Sequence, residues 1–142
     1  MIILPDGMGM FQVEGVLKYN PLRQKLKKTR THDEFFLILD IPKNVGRYYR
    51  YWVKKEFNIF LNPPAYGEHI TVLDGRNPVG PEYLEHWNKY EGERVTINYT
   101  NYIYQQWKFC CLPVESGRLN AIRSELGFNH NPNLHITFGR MR

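Results

Sequence analysis

The chain alternates between two hydrophobic periods, and the places where one gives way to the other mark its elements. From Glu34 to Pro42 it is almost continuously apolar (Phe35, Phe36, Leu37, Ile38, Leu39, Ile41), the pattern of a central strand buried on both faces and closed by proline. Between Asn44 and Phe57 the period lengthens, so that Val45, Tyr48 or Tyr49, Trp52, Val53 and Phe57 share one face of a helix. Asn62-Pro63-Pro64-Ala65-Tyr66-Gly67 ends that helix and leads into a strand, His69-Ile70-Thr71-Val72. Asp74-Gly75-Arg76-Asn77-Pro78 reads as a turn, and Pro81 opens a short helix through Tyr90. Arg94 to Tyr104 and Gln106 to Val114 have the character of strands, the second closed by Pro113. Ser116 is placed to cap a helix carrying Leu119, Ile122 and Leu126, with Gly127 at its end. A polar loop, Asn129 to Asn133, precedes the last strand, His135-Ile136-Thr137-Phe138. Residues 1–30 are the least legible: Gly7, Gly9 and Gly15 punctuate one strand or hairpin around Phe11, Val13, Val16 and Leu17. After it, five of the eight residues Arg23 to Arg30 are basic, either a solvated face or a phosphate contact.

The pattern repeats. An apolar strand closed by Pro42, a helix and a proline-containing loop lead to His69-Ile70-Thr71, and the same order from Pro113 leads to His135-Ile136-Thr137. The repeat suggests two pseudo-symmetric β-α-β lobes within a single domain over residues 1–142. Residues 1–30 stand as an N-terminal extension outside the repeat.

On a strand, side chains two apart share a face, so each string shows His and Thr on one side and apolar residues on the other. Two such strands set two imidazoles and two hydroxyls over one site. Imidazole titrates near neutrality, so one ring can accept a proton while the other donates one, and a threonine hydroxyl can hold a non-bridging phosphate oxygen. That constellation suits cleavage of a phosphodiester without a metal. Zinc is the competing reading, but the spacing lacks HExxH and the two cysteines are adjacent, with no CxxC. No metal or cofactor is expected.

Composition narrows the partner. The net charge of +5 favours an anion, and 10 Tyr among 142 residues supply rings for base stacking or for the core. A nucleotide or RNA partner fits both. Tyr66, just before the first string, and Tyr102, Tyr104 and Trp107 are candidates to stack a base, and Arg76 is a candidate phosphate contact. Strict alternation sets Arg140 away from His135; His32, His86 and His130 read as surface or structural. Cys110 and Cys111 read as buried and reduced. No apolar run approaches the ~18–20 residues of a membrane span, and the apolar N-terminus is too short for a signal core, so a cytoplasmic protein is expected.

His69-Ile70-Thr71-Val72 and His135-Ile136-Thr137-Phe138 resemble the two His-hydrophobic-Thr/Ser-hydrophobic signatures of the 2H (two-histidine, LigT-like) phosphoesterase superfamily, over about residues 33–142. The resemblance implies an α+β, bilobal 2H phosphoesterase fold, its two pseudo-symmetric β-α-β lobes forming antiparallel-containing sheets around a central cleft, together with metal-independent phosphodiesterase chemistry, His69 and His135 as acid–base pair, and Thr71 and Thr137 as phosphate binders. Family substrates include RNA ends with 2′,3′-cyclic phosphate, 2′-5′ oligoadenylates, and the cyclic oligonucleotide alarm signals that compact phage members destroy.

Overall fold

A computed structural model describes residues 2–3, 9–19, 36–74, 81 and 85–141. Arg76, His32, the basic run 23–30 and most of the helix expected from Pro81 lie outside the described residues. Strand accounts for 42% of what is described and helix for 24%. In chain order the elements are β1 (Ile2–Ile3), β2 (Met10–Tyr19), β3 (Leu37–Asp40), α1 (Lys43–Phe57), β4 (His69–Leu73), β5 (Arg94–Thr100), β6 (Tyr102–Gln106), β7 (Phe109–Glu115), α2 (Gly117–Glu125) and β8 (His135–Arg140). Gln106 to Val114 is not one strand: the chain turns at Trp107, in the left-handed region at φ 54°, so β6 and β7 form a hairpin.

Every pairing is antiparallel, in the order β2-β3-β4-β8-β7-β5, and β5 pairs back onto β2. The sheet is a closed six-stranded barrel, with β6 continuing β5 along the same edge of β7 and β1 beside β6. This corrects the bilobal 2H fold expected from the sequence. The seven-pair β2–β5 ladder, Met10↔Thr100 to Val16↔Arg94, joins the two halves where separate lobes would leave them apart. It also corrects the reading of residues 1–30 as an extension: β2 is a barrel strand between β3 and β5.

Each repeat keeps its order of strand, helix and strand, but the two strands are direct antiparallel neighbours. In the first repeat α1 carries the chain ~22 Å at 1.5 Å per residue. Residues 58–68 then bring it back to the end from which it left, and α2 with residues 126–134 makes the same return in the second. Local physics sets the helix limits. Asn58 ends α1 at φ 55°, and Ser116 Oγ accepts from Leu119 N (3.1 Å) to cap α2.

One face of the sheet is the core. Leu17, Leu39, Ile70, Ile136, Leu112, Val95 and Ile97 are buried there, with Tyr49 and Val53 of α1 and Leu119 and Ile122 of α2 packed in the same cluster. Tyr49 meets Phe138 at 5.7 Å between ring centroids. Among the described residues no helix is long and apolar enough to cross a membrane.

Two bulges break the ladders beside the His-x-Thr strings. Leu37 pairs with Leu73 and Ile38 with Thr71, skipping Val72; Cys110 pairs with Gly139 and Cys111 with Thr137, skipping Phe138. A bulged residue drops out of the ladder, and an arginine takes each freed carbonyl. Arg50 of α1 donates Nη1–H to the Phe138 carbonyl (2.7 Å), and Arg123 of α2 donates to that of Val72 (2.6 Å). Each repeat's helix thus fastens the other repeat's string. Arg50 also pairs with Glu68, which is 3% exposed and precedes His69. Gly46 makes room for it, since a Cβ there would collide with the Glu68 side chain.

Arg50→Ala strands a buried carboxylate and is expected to lower the unfolding free energy by about 3–5 kcal/mol. Replacing both partners, Arg50→Met with Glu68→Met, should recover most of this and leave about 1–3 kcal/mol for the orphaned Phe138 carbonyl. Urea unfolding of the three proteins measures both differences.

Candidate active site

The barrel brings the two strings side by side. β4 and β8 pair antiparallel with His69 opposite Thr137 and Ile70 opposite Ile136; the same register, one residue further, sets Thr71 opposite His135. Opposed residues of an antiparallel pair share a face, so both histidines and both threonines lie on the side away from the core. A local two-fold relation between β4 and β8 exchanges His69 with His135 and Thr71 with Thr137.

Both rings are held in one way. His69 Nδ1 lies 2.7 Å from the Gly67 carbonyl, and His135 Nδ1 lies 2.8 Å from that of Asn133, each two residues back along the chain. A carbonyl only accepts, so each Nδ1 carries the hydrogen, and each Nε2, which bonds no other described residue, is the atom able to exchange a proton. The left-handed φ of 76° at Gly67 belongs to the turn that aims its carbonyl at His69.

The surroundings break this symmetry. His69 is 7% exposed, whereas His135 is partly exposed. Burial is the main force holding the His69 imidazole below its ordinary value; the Gly67 carbonyl opposes it, and the neighbouring His135 lowers it further. His69 is therefore neutral at neutral pH.

The cross-strand register extends the polar face on both sides. Asp40 of β3 stands opposite His69, Cys111 of β7 opposite Thr137, and Tyr104 of β6 opposite Cys111. Cys111, fully buried, is hydrogen-bonded to Thr137, and burial pushes its thiol up to about 12. Burial likewise pushes the Tyr104 phenol up to about 12, so it remains a neutral donor. Its ring meets that of His135 edge-on at 6.2 Å, and Tyr66 meets His69 edge-on at 5.7 Å.

Of the other candidates, Trp107 sits at the tip of the β6–β7 hairpin, 74% exposed under Lys108, and does not join the site. Tyr102 opposes Ile3 at the edge of the sheet. His86 lies beside Glu125 and His130 is exposed in its loop. Cys110 and Cys111 are free and buried. Asp40, Cys111, Arg50 and Arg123 were missed by the sequence reading; the signal that finds them is the register across strands, which no single segment carries. Among the described residues no three His, Cys, Asp or Glu side chains gather as a metal site.

Scans against protein-family models, curated proteins and solved structures found no match to this chain.

The depressed titration of His69 has a thermodynamic consequence. The unfolded chain takes up a proton at about pH 6.5 and the folded chain only below that. The contribution of His69 to stability is complete above pH 6.5 and declines as the pH falls towards its folded value. A His69→Gln variant is expected to lose less stability than the parent between pH 7.5 and 5, read as urea midpoints. Proton-detected titration should place His69 below free imidazole.

Proposed function

We propose that the chain is a phosphodiesterase that cleaves RNA-type phosphodiester bonds by two-histidine general acid–base catalysis, in the cytoplasm of the cell where its nucleotide substrate arises. The observation that carries this reading is the pair of imidazoles on one sheet face, each with Nδ1 tied to a carbonyl and Nε2 left to the ligand. His69, buried and neutral, acts as base on the attacking ribose 2′-hydroxyl. His135, with access to solvent, acts as acid on the departing oxygen. The Thr71 and Thr137 hydroxyls donate to the non-bridging oxygens, where charge gathers as the phosphorus becomes five-coordinate. The 2′-oxygen bonds to phosphorus and its proton goes to His69; the bond to the leaving oxygen breaks as that oxygen takes the proton of His135. The products are a 2′,3′-cyclic phosphate and a free hydroxyl. The resemblance of both strings to the 2H signatures supports the reaction class, and the basic charge and the aromatics flanking the site support a nucleotide, cyclic or linear.

The test is a product screen by mass spectrometry over cyclic dinucleotides, linear oligoribonucleotides and 2′,3′-cyclic nucleotides. His69→Ala and His135→Ala are each expected to lower kcat by about 10²–10⁴, with activity kept in EDTA and a bell-shaped pH profile. Cleavage unaffected by both substitutions sinks the proposal, and tight binding without product converts the chain to a nucleotide-binding module.

A further inference from the structure

The two histidines differ in what stands on their far sides. Between them, β4 and β8 pair each with a threonine. The next strand outward adds one residue to each row: Asp40 of β3 opposite His69, and Pro113 of β7 opposite His135. The local two-fold relation thus matches a carboxylate with an uncharged ring, and the carboxylate falls to the imidazole assigned above as base. Aspartate is disfavoured in strands, yet Asp40 ends the run Leu37–Asp40 on a strand paired on both sides, with β2 and β4.

The pairing is of the close kind. Ile41 donates its backbone N–H to the Glu68 carbonyl (2.9 Å), so Ile41 and Glu68 form a hydrogen-bonded pair and the adjacent Asp40 and His69 a non-hydrogen-bonded one. Side chains stand nearest in pairs of the second type, with Cβ atoms roughly 4.5–5.5 Å apart. The Asp40 carboxylate therefore lies alongside a buried imidazole, where little water screens it. The other charged groups about the ring are differently engaged. Glu68, one residue back, is taken by Arg50, and His135 lies on the diagonal across β8. Lys18 of β2 reaches Asp40 at 2.9 Å, with both side chains partly exposed, so it holds the carboxylate loosely.

A base accepts its proton only by becoming charged. Burial is the main force against an imidazolium at His69 and His135 adds to it, while the Gly67 carbonyl, Asp40 and Glu68 favour it. The Gly67 carbonyl fixes the ring and its tautomer but carries no net charge. The counter-charge on the His-Thr face comes from the neighbouring strand.

Building on the proposed phosphodiesterase reading, we infer that Asp40 is a positioning residue for the reaction: its carboxylate stabilises the imidazolium that His69 becomes on taking the 2′-hydroxyl proton, and Lys18 moderates it. The roles of the two histidines are then set by the strands outside them as well as by depth. The proton goes to the ring with a carboxylate beside it.

Two substitutions break the same ion pair with opposite effects on His69: Lys18→Met frees the carboxylate, and Asp40→Asn removes its charge. The His69 ring resonances, followed by NMR against pH, read both. Lys18→Met is expected to raise the titration midpoint by about 0.5 pH unit. Adding Asp40→Asn to that background should lower it by about 1 pH unit or more. A merely structural role for the pair moves both variants the same way. In cleavage, Asp40→Asn should lower kcat about tenfold or more with little change in KM, and move the acid limb of kcat/KM to lower pH, while Asp40→Glu restores most of the rate. A His69 midpoint that Lys18→Met does not raise, or that Asp40→Asn does not lower, overturns the inference. Cleavage at the parent's kcat by Asp40→Asn also overturns it and spares the phosphodiesterase reading. Opposed midpoint shifts in a protein that cleaves nothing keep the carboxylate–imidazole coupling and remove that reading alone.

Discussion

The ladder between β4 and β8 is two residue pairs long, and the geometry of the site rests on it. So short a pairing is weak by itself, and each strand bulges immediately after its threonine, freeing a carbonyl at Val72 and at Phe138. Arg50 and Arg123 close those gaps from opposite sides. A guanidinium has several donors in a fixed plane and stays charged when buried, so Arg50 bonds Glu68 and the Phe138 carbonyl together. The bulges and their arginines form one device. The first ends the regular pairing beside each string, and the second makes that ending affordable inside a packed fold.

Chemistry between two like groups needs them to differ, and here the backbone supplies likeness while the surroundings supply the difference. Both imidazoles are oriented by carbonyls at the same offset, which the repeated His-x-Thr string encodes. His69 lies deep enough for burial to favour its neutral form, whereas His135 is partly exposed. Tyr66 on one side and Tyr104 on the other flank the pair with rings in different settings: one lies edge-on to His69, the other is a half-buried donor opposite the Cys111 thiol.

What local pattern encodes was legible. The helical period of residues 44–57, the Ser116 cap, the left-handed Gly127 and both His-Thr strands follow from neighbours a few residues apart, and the structure has each of them. The closure of the barrel was not legible, because it depends on β2 pairing with β5 some eighty residues away, and Gly15 interrupts the apolar stretch of β2. A Cβ at Gly15 would come within 2.7 Å of Leu39, so the glycine that weakens the strand signal is the one that lets β2 lie against β3. The split of β6 from β7 escaped for a related reason: Trp107 is a strand former by composition and takes a turn conformation. The remaining site residues, Asp40 and Cys111, sit on strands that read as plain core, and only register turns them towards the histidines.

The crossed arginines bear on how the chain divides. Cut between its repeats, the first half would keep Arg50 but lose the carbonyl it serves, and the second would keep Arg123 and lose Val72. Each piece carries the fastening for its absent counterpart, as the two members of a symmetric dimer do when each reaches over the shared axis. The molecule is in this sense a dimer enclosed in one chain, with the link between its halves covalent and the exchange of arms complete before any partner is met.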